Sequence, residues 1–262
     1  MKNLSQTELE RAADLLIAAR YVTALTGAGV SVESGIPPFR GPDGLWTKHG
    51  EPPLDGYQRF LADPKGYWEN RLHNPSPIAV ALEKAKPNPG HYAMVELEEL
   101  GILRMVITQN IDNLHRMAGQ KRLAEIHGNG TLLRCIQCGT RFARTAISLE
   151  VLPPRCPHCQ GLIKSDTVSF GEPIPLDVLE VCERETRRSD CMLVAGTSAF
   201  VYPAAAFPQQ VKQQGGILIE VNLTETPLTP WADVSLQGKF GEILPALCAC
   251  VKARLQGRTT TT

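Results

Sequence analysis

Four cysteines stand as two pairs, Cys135-x-x-Cys138 and Cys156-x-x-Cys159, with 17 residues between the pairs. Paired thiols at that separation suit one tetrahedral zinc ion. Four thiolates would close the coordination sphere and leave no position for substrate, so the metal is expected to be structural. His158 lies inside the second pair, but the spacing favours an all-cysteine site. Upstream, Gly27-Ala28-Gly29-Val30-Ser31 follows a β-prone run. Closely spaced glycines between a strand and a helix make a phosphate-binding turn. The match to Gly-x-Gly-x-x-Gly is half complete, because Val32 stands where the third glycine would be. The other use of such a turn is glycine's backbone freedom alone.

Elements that would position these groups follow from apolar patterning. Ser5-Gln6-Thr7-Glu8 has capping-box form, with Leu9, Ala13, Leu16 and Ile17 at helical spacing behind it. Residues 21–25, 104–108, 191–195 and 217–221 read as near-continuous apolar strands, and His91–Leu100 as a helix between the first two with Ala93, Leu97 and Leu100 on one apolar side. The stretch 36–90 carries ten prolines and reads as loops and short helices. The tail after Leu255 is expected to be disordered. Apolar strands separated by helical stretches predict an α/β, Rossmann-like parallel sheet with helices on both faces. Each strand ends in small polar residues: Gly27–Ser31, Gln109–Asp112, Gly196–Ser198 and Asn222. Ligands of open α/β sheets bind at those ends.

Composition limits the class. Hydrophobic residues make up 43 % of 262, and 27 basic residues balance 27 acidic ones. A nucleic-acid or membrane-surface protein would show a basic excess. Arg134, Arg141, Arg144 and Arg155 lie near the knuckles, without the aromatic ladder of a single-strand binder. No apolar run reaches spanning length and no signal segment is evident, so a cytoplasmic location is expected. Reduced thiols there favour metal over disulfides. Cys182, Cys191, Cys248 and Cys250 then read as small hydrophobes.

The continuation Gly27-Ala28-Gly29-x-Ser31-x-x-Ser34-Gly35-Ile36-Pro37-x-Phe39-Arg40 resembles the first signature of the sirtuins, NAD-dependent protein lysine deacylases. Thr108–His115 resembles their second and Leu123–Asn129 their third. The cysteine module, Val168-Ser169-Phe170-Gly171-Glu172, Gly196-Thr197-Ser198 and Val221-Asn222 follow in family order, so the likeness runs over about residues 10–250. It implies a single catalytic domain of prokaryotic type. The Rossmann-like core would span about 9–37, 91–130 and 167–256, and a small domain 38–90 (helical) and 131–166 (zinc). NAD would be consumed as co-substrate, beside one structural zinc ion.

In the family the acyl-lysine carbonyl oxygen attacks the nicotinamide ribose, and a base then deprotonates its 2′-hydroxyl. The resemblance makes His127 that base, with Asn110 and Asp112 as the further catalytic residues orienting the nicotinamide ribose. Neutral imidazole suits the task. It implies further NAD contacts at Gly27, Ala28, Gly29, Ser31, Ser34, Gly35, Ile36, Arg40, Trp46, Gln109, Ile111, Gly196 and Thr197. Phe39 would shield the reactive ribose carbon, Ser198 and Asn222 would reach the adenosine half, and Phe240 would offer backbone to adenine. Val168, Phe170 and Gly171 would pair with the acyl-lysine peptide as an added strand.

One departure bears on the acyl group. Relatives selecting succinyl or malonyl groups carry a Tyr and an Arg three apart; here Arg71 and Asn74 hold those positions, although Tyr67 and Arg71 could share a helix face. The expected activity is deacetylation, releasing nicotinamide and O-acetyl-ADP-ribose. Protein mono-ADP-ribosylation, another acyl preference and a non-catalytic NAD or ADP-ribose sensor are the alternatives. A hydride-transferring dehydrogenase fits less well, since the acidic residue expected about 20 positions past the glycines is not evident.

Overall fold

The structure, a computed structural model, describes residues 5–40 and 44–259. In chain order its helices are α1 (Gln6–Ala18), α2 (Leu45–His49), α3 (Gly56–Ala62), α4 (Pro64–His73), α5 (Pro77–Lys84), α6 (Pro89–Glu99), α7 (Leu114–Ala118), α8 (Leu176–Arg188), α9 (Ala206–Gln213) and α10 (Phe240–Thr259). The strands are β1 (Val22–Thr26), β2 (Leu103–Thr108), β3 (Leu123–Glu125), β4 (Gly128–Cys135), β5 (Arg141–Ala143), β6 (Ile163–Thr167), β7 (Cys191–Ala195), β8 (Ile217–Asn222) and β9 (Val234–Gln237).

Six strands form one parallel sheet in the order β3-β2-β1-β7-β8-β9. The central strands β1 and β7 are buried at every residue, which is why they read as unbroken apolar runs. Helices α1, α6 and α10 cover one face around Leu16, Met94, Leu97, Leu193 and Leu244. Helices α8 and α9 cover the other around Leu25, Ile107, Cys182, Phe207 and Val211. The chain winds outward from β1 to β3 on one side and from β7 to β9 on the other. The order therefore switches between β1 and β7, where such sheets open a crevice.

Beside this core, β5-β4-β6 make a small antiparallel sheet. It shares a cluster of only five buried residues, Trp68, Leu133, Cys135, Cys156 and Ile163, with α4. The indole of Trp68 donates to Ile163 O at 2.9 Å, pinning the 38–90 region onto that sheet. As the prolines indicate, 38–90 holds short helices, with Pro at the first turn of α4, α5 and α6.

Two expectations require correction. The chain beyond Leu255 is helical through Thr259, so Gly257 and Arg258 lie inside α10; the last three threonines are outside the described residues. Leu100 is not on the buried side of α6 but 38 % exposed at its end, because the chain turns away there through Gly101 at φ +73°. Gly41, in the first signature's continuation, also lies outside the described residues.

Candidate active site

At the switch point the β1 and β7 turns touch. Gly29 N–H donates to Gly196 O at 2.8 Å. A Cβ on Gly29 would sit 2.7 Å from Gly196 Cα, and one on Gly196 would sit 2.4 Å from Val30 N. Neither position tolerates a side chain. The N–H groups of Gly27, Gly29 and Val30 are already donated to Ala195, Gly196 and Gly27 carbonyls. The turn therefore contributes close backbone approach more than the free amide nest that its glycines suggest.

A cleft of ≈ 1220 Å³ opens over these turns. Gly27, Ala28, Gly29, Phe39, Arg40, Trp46, Gln109, Asn110, Ile111 and His127 line it, with Val168, Phe170, Gly171, Gly196, Thr197, Ser198 and Asn222. Segments distant in the sequence are thus brought to one place by the ends of β1, β2, β7 and β8.

His127 follows β3 and precedes β4. Its Nδ1 lies 3.1 Å from Gln109 O. A carbonyl can only accept, so Nδ1 carries the hydrogen and Nε2 keeps its lone pair. Burial lowers the His127 pKa, opposed by the bond to Gln109, so the ring is neutral at physiological pH. Its main-chain carbonyl accepts from Val168 N–H at 2.9 Å. Gly128, at φ +80°, admits the close crossing beside it, since a Cβ there would meet Asp166 O at 2.0 Å. Asn129 fixes the following residues by donating to Glu125 at 2.7 Å and Asn113 at 2.8 Å.

Asn110 and Asp112 are both buried. Asn110 Nδ2 donates to Gly27 O and to Ser31 Oγ, each at 3.1 Å. Ser31 in turn donates to Asp112 Oδ2 at 2.6 Å, and Leu114 N–H donates to the other oxygen at 2.9 Å. Burial raises the Asp112 pKa, while the bonds from Ser31, Leu114 and Asn110 oppose that shift. The relay Asp112–Ser31–Asn110–Gly27 locks the β2 end to the first turn. Gln109 completes the rim through Thr197 Oγ1 at 3.0 Å, and Asn222 donates to Thr197 O at 3.2 Å.

Across the cleft, Trp46 stacks obliquely with Phe39 at 5.0 Å and Phe170 at 6.0 Å. The Arg40 guanidinium lies 4.5 Å from the Trp46 ring centre and pairs with Glu51 at 3.4 Å.

Ser31, Ser34, Gly35, Ile36, Asp112 and Phe240 are not in the cleft wall. Ser34 is held from behind by Asn88, which also donates to Val30 O at 2.8 Å. Ile36 packs with Ala85 and Leu114. Phe240 is buried against His91, ring centres 5.5 Å apart. Phe200, Tyr202 and Thr224–Pro227 also flank the cleft and escaped sequence reasoning. They lie in the loops that follow β7 and β8, the one signal that marks them.

The four knuckle sulfurs lie within 4.8 Å of one another, with Cys135–Cys159 at 3.5 Å and Cys138–Cys156 at 3.7 Å. Zinc–sulfur bonds of about 2.3 Å set tetrahedral sulfurs about 3.8 Å apart, and a disulfide would need about 2.05 Å. The set therefore fits a closed zinc site. His158 takes no part; it stacks on Phe142 at 5.7 Å. Tyr67 and Arg71 stay out of the cleft: Tyr67 packs on Phe60 and Trp68, and Arg71 donates to Ser165 Oγ at 3.1 Å.

A parallel sheet with a cleft at its switch point, an imidazole in that cleft and a four-thiolate module alongside define a nucleotide-binding α/β class with a structural metal module. The Sir2 family model matches residues 27–203, and the chain belongs to that family. A curated NAD-dependent protein deacylase of Pyrococcus abyssi is 45 % identical over 249 residues, covering 93 % of this chain and 98 % of that protein. A solved Sir2 homologue–NAD complex superposes with a TM-score of 0.80 at 44 % identity, covering 94 % of both chains. A Sir2–p53 peptide–NAD+ structure superposes at 0.77 with 34 % identity, covering 92 % of this chain and 97 % of that one.

Proposed function

We propose that the protein is an NAD-dependent protein lysine deacylase acting on acetyl-lysine, with His127 as the general base. The observation that carries this reading is the tautomer of His127: Nδ1–H is tied to Gln109 O, which leaves Nε2 to take a proton in the cleft. A site that only sensed NAD would need no such base. NAD supplies nicotinamide as leaving group and ADP-ribose as acyl acceptor. Asn110, held by Gly27 and Ser31, orients the ribose that reacts, and Asp112 holds that arrangement from behind. Phe39 and Trp46 exclude water from the reacting carbon. A peptide substrate is supported by the relative solved with a p53 peptide and NAD+; Val168, Phe170 and Gly171, in the cleft wall, are the residues proposed to dock it.

The acetyl preference rests on what is missing from the cleft wall. Arg71 is held by Ser165, and Tyr67 lies in the small core, so neither offers a charge-assisted partner to an acidic acyl group. Nucleic acid is not a proposed partner: 27 basic residues are balanced by 27 acidic ones, and Arg134 is buried against Asp166 and Glu172. No described helix is long and apolar enough to cross a membrane. A cytoplasmic location is proposed because the four clustered cysteines suit metal rather than disulfides, as thiols do in a reducing compartment.

Mass spectrometry of an acetyl-lysine peptide incubated with the protein and NAD tests the reading. The expected result is loss of the acetyl mass with O-acetyl-ADP-ribose formed, reduced about 10²–10⁴-fold in His127→Ala. Nicotinamide release with an ADP-ribose adduct on protein, and no deacylation, would replace it with mono-ADP-ribosyl transfer.

A further inference from the structure

Between the zinc knuckles and the cleft lies a set of buried ions that the chemistry above does not use. Lys164, on β6, has a fully buried side chain, and Glu172 is 3 % exposed. The Lys164 ammonium donates to Ser165 O at 3.2 Å, Thr167 O at 2.5 Å and Glu172 Oε2 at 2.8 Å, which uses all three of its hydrogens. Arg134, on β4, donates from Nη2 to Glu172 Oε1 at 2.5 Å and from Nε to Asp166 Oδ1 at 2.9 Å. Arg141 reaches the other Asp166 oxygen at 2.9 Å and Asp177 at 3.4 Å.

Buried ion pairs contribute little net stability, because desolvation offsets their attraction, and an apolar pair of similar volume often does as well. What such groups can supply is a unique geometry. Here the geometry is aimed at one place. Glu172 Oε2 accepts from Ser169 N–H at 2.9 Å, and Glu172 N–H donates to Ser169 O at 3.0 Å. Residues 169–172 thus form a turn closed by both main chain and side chain, with Gly171 at φ +78° in the place a type II turn reserves for glycine. Phe170 sits at its corner, in the cleft wall, and its carbonyl accepts from Tyr57 N–H at 3.0 Å. Lys164 meanwhile holds the carbonyls of Ser165 and Thr167, the residues leading into Val168. The segment proposed to dock the peptide is therefore gripped from beneath by charges belonging to the zinc-bearing sheet.

We infer that Lys164, Glu172 and Arg134 are positioning residues that hold the Val168–Gly171 turn in register for the acyl-lysine peptide, and that they act on peptide binding rather than on NAD. This rests on the deacylase reading of Val168–Gly171. NAD-side residues Gly27, Asn110 and Thr197 hydrogen-bond among the ends of β1, β2 and β7 and, among the described residues, not to the ion set.

The test is steady-state kinetics of Glu172→Gln and Arg141→Gln beside the wild type, with amide hydrogen exchange followed across residues 160–175. For Glu172→Gln the acetyl-peptide KM should rise about tenfold, with kcat and the NAD KM within about twofold, the signature of lost binding alone. Val168–Gly171 amides should exchange faster. Arg141→Gln, which touches Asp166 and Asp177 but not the turn, should change neither. A proportional fall in kcat and NAD affinity, an unchanged peptide KM, or an equal effect from Arg141→Gln would overturn the inference. Should Glu172→Gln fail to fold, the charge-free pair Lys164→Met with Glu172→Leu should fold and show the same KM rise; wild-type peptide KM in it would overturn the inference. Absence of deacylation in the wild type would sink the deacylase reading instead, and the exchange rates would still judge whether the ions hold the turn.

Discussion

The two sheets of this molecule are held together by different physics. The parallel sheet buries long apolar strands between helices on both faces, and polar groups inside its strands are few, Thr23 and Glu220 being buried with hydrogen-bond partners. The small antiparallel sheet has five buried residues in its cluster, two of them cysteines, with Lys164, Asp166 and Arg134 buried alongside. An apolar core that small supplies little stability by itself. Metal coordination must do there much of what burial does in the larger unit, while the buried ions fix geometry more than they add stability. The chemistry falls at the boundary, where rigid strand ends meet a module whose order depends on its ligands.

That contrast breaks most visibly on removing the metal. Zinc chelation, or Cys156→Ser, should abolish deacylation and unfold the small sheet, because metal binding is folding free energy for such a module. The parallel core should survive. Circular dichroism with protease mapping should show cleavage confined to about 131–166; cooperative loss of the whole fold would erase the distinction between the two units.

A smaller effect sharpens the comparison from the core side. Ser31→Ala removes the donor to Asp112 and an acceptor for Asn110 within a buried relay. Leaving such groups unpaired costs about 1–3 kcal/mol, so kcat/KM for NAD should fall by roughly tenfold or more. Zinc content should stay at one per chain. Loss of zinc with the activity would show that the units are not separable.

The effect with least bearing on activity at neutral pH is on stability against pH. Burial takes the His91 pKa down to about 4 and lowers that of His115 well below its usual value. The unfolded chain then binds protons that the native core does not, so stability is complete above about pH 6.5 and is lost as pH falls toward 4. His91 alone accounts for roughly 3 kcal/mol across that window. Denaturant melts from pH 7 to 4.5 should show this slope, and His91→Gln should reduce it, leaving the part due to His115; an unchanged slope in a variant lacking both histidines would move the acid sensitivity out of this core.

What could be read beforehand divides along the same line. The strands at 22–26, 103–108, 191–195 and 217–222 were visible because strands buried on both faces are continuous apolar runs. β3 has three residues and β9 alternates Val234-Ser235-Leu236-Gln237, so both edge strands fell below that signal. The end of α10 was hidden by Gly257 and the threonines, ordinary marks of a helix stop. Knuckle cysteines and strand-end polar residues were legible because their spacing states their chemistry. Lys164, Asp166 and Glu172 were not, since charges in sequence look like solvated surface until the fold buries them. Phe200 and Tyr202 gave no spacing to read.

One consequence follows from the position of His127. Its ring answers to the parallel sheet through Gln109, and its main-chain carbonyl answers to the small sheet through Val168. The residue is a rivet between two plates, not a fitting on one of them. Chimeras that exchange the zinc module between relatives should therefore place their seams outside 123–135 and 163–173, so that both plates and the rivet travel together. A seam through residue 130 or 131, the natural-looking joint, would carry the knuckles across while leaving the imidazole keyed to a strand it no longer has.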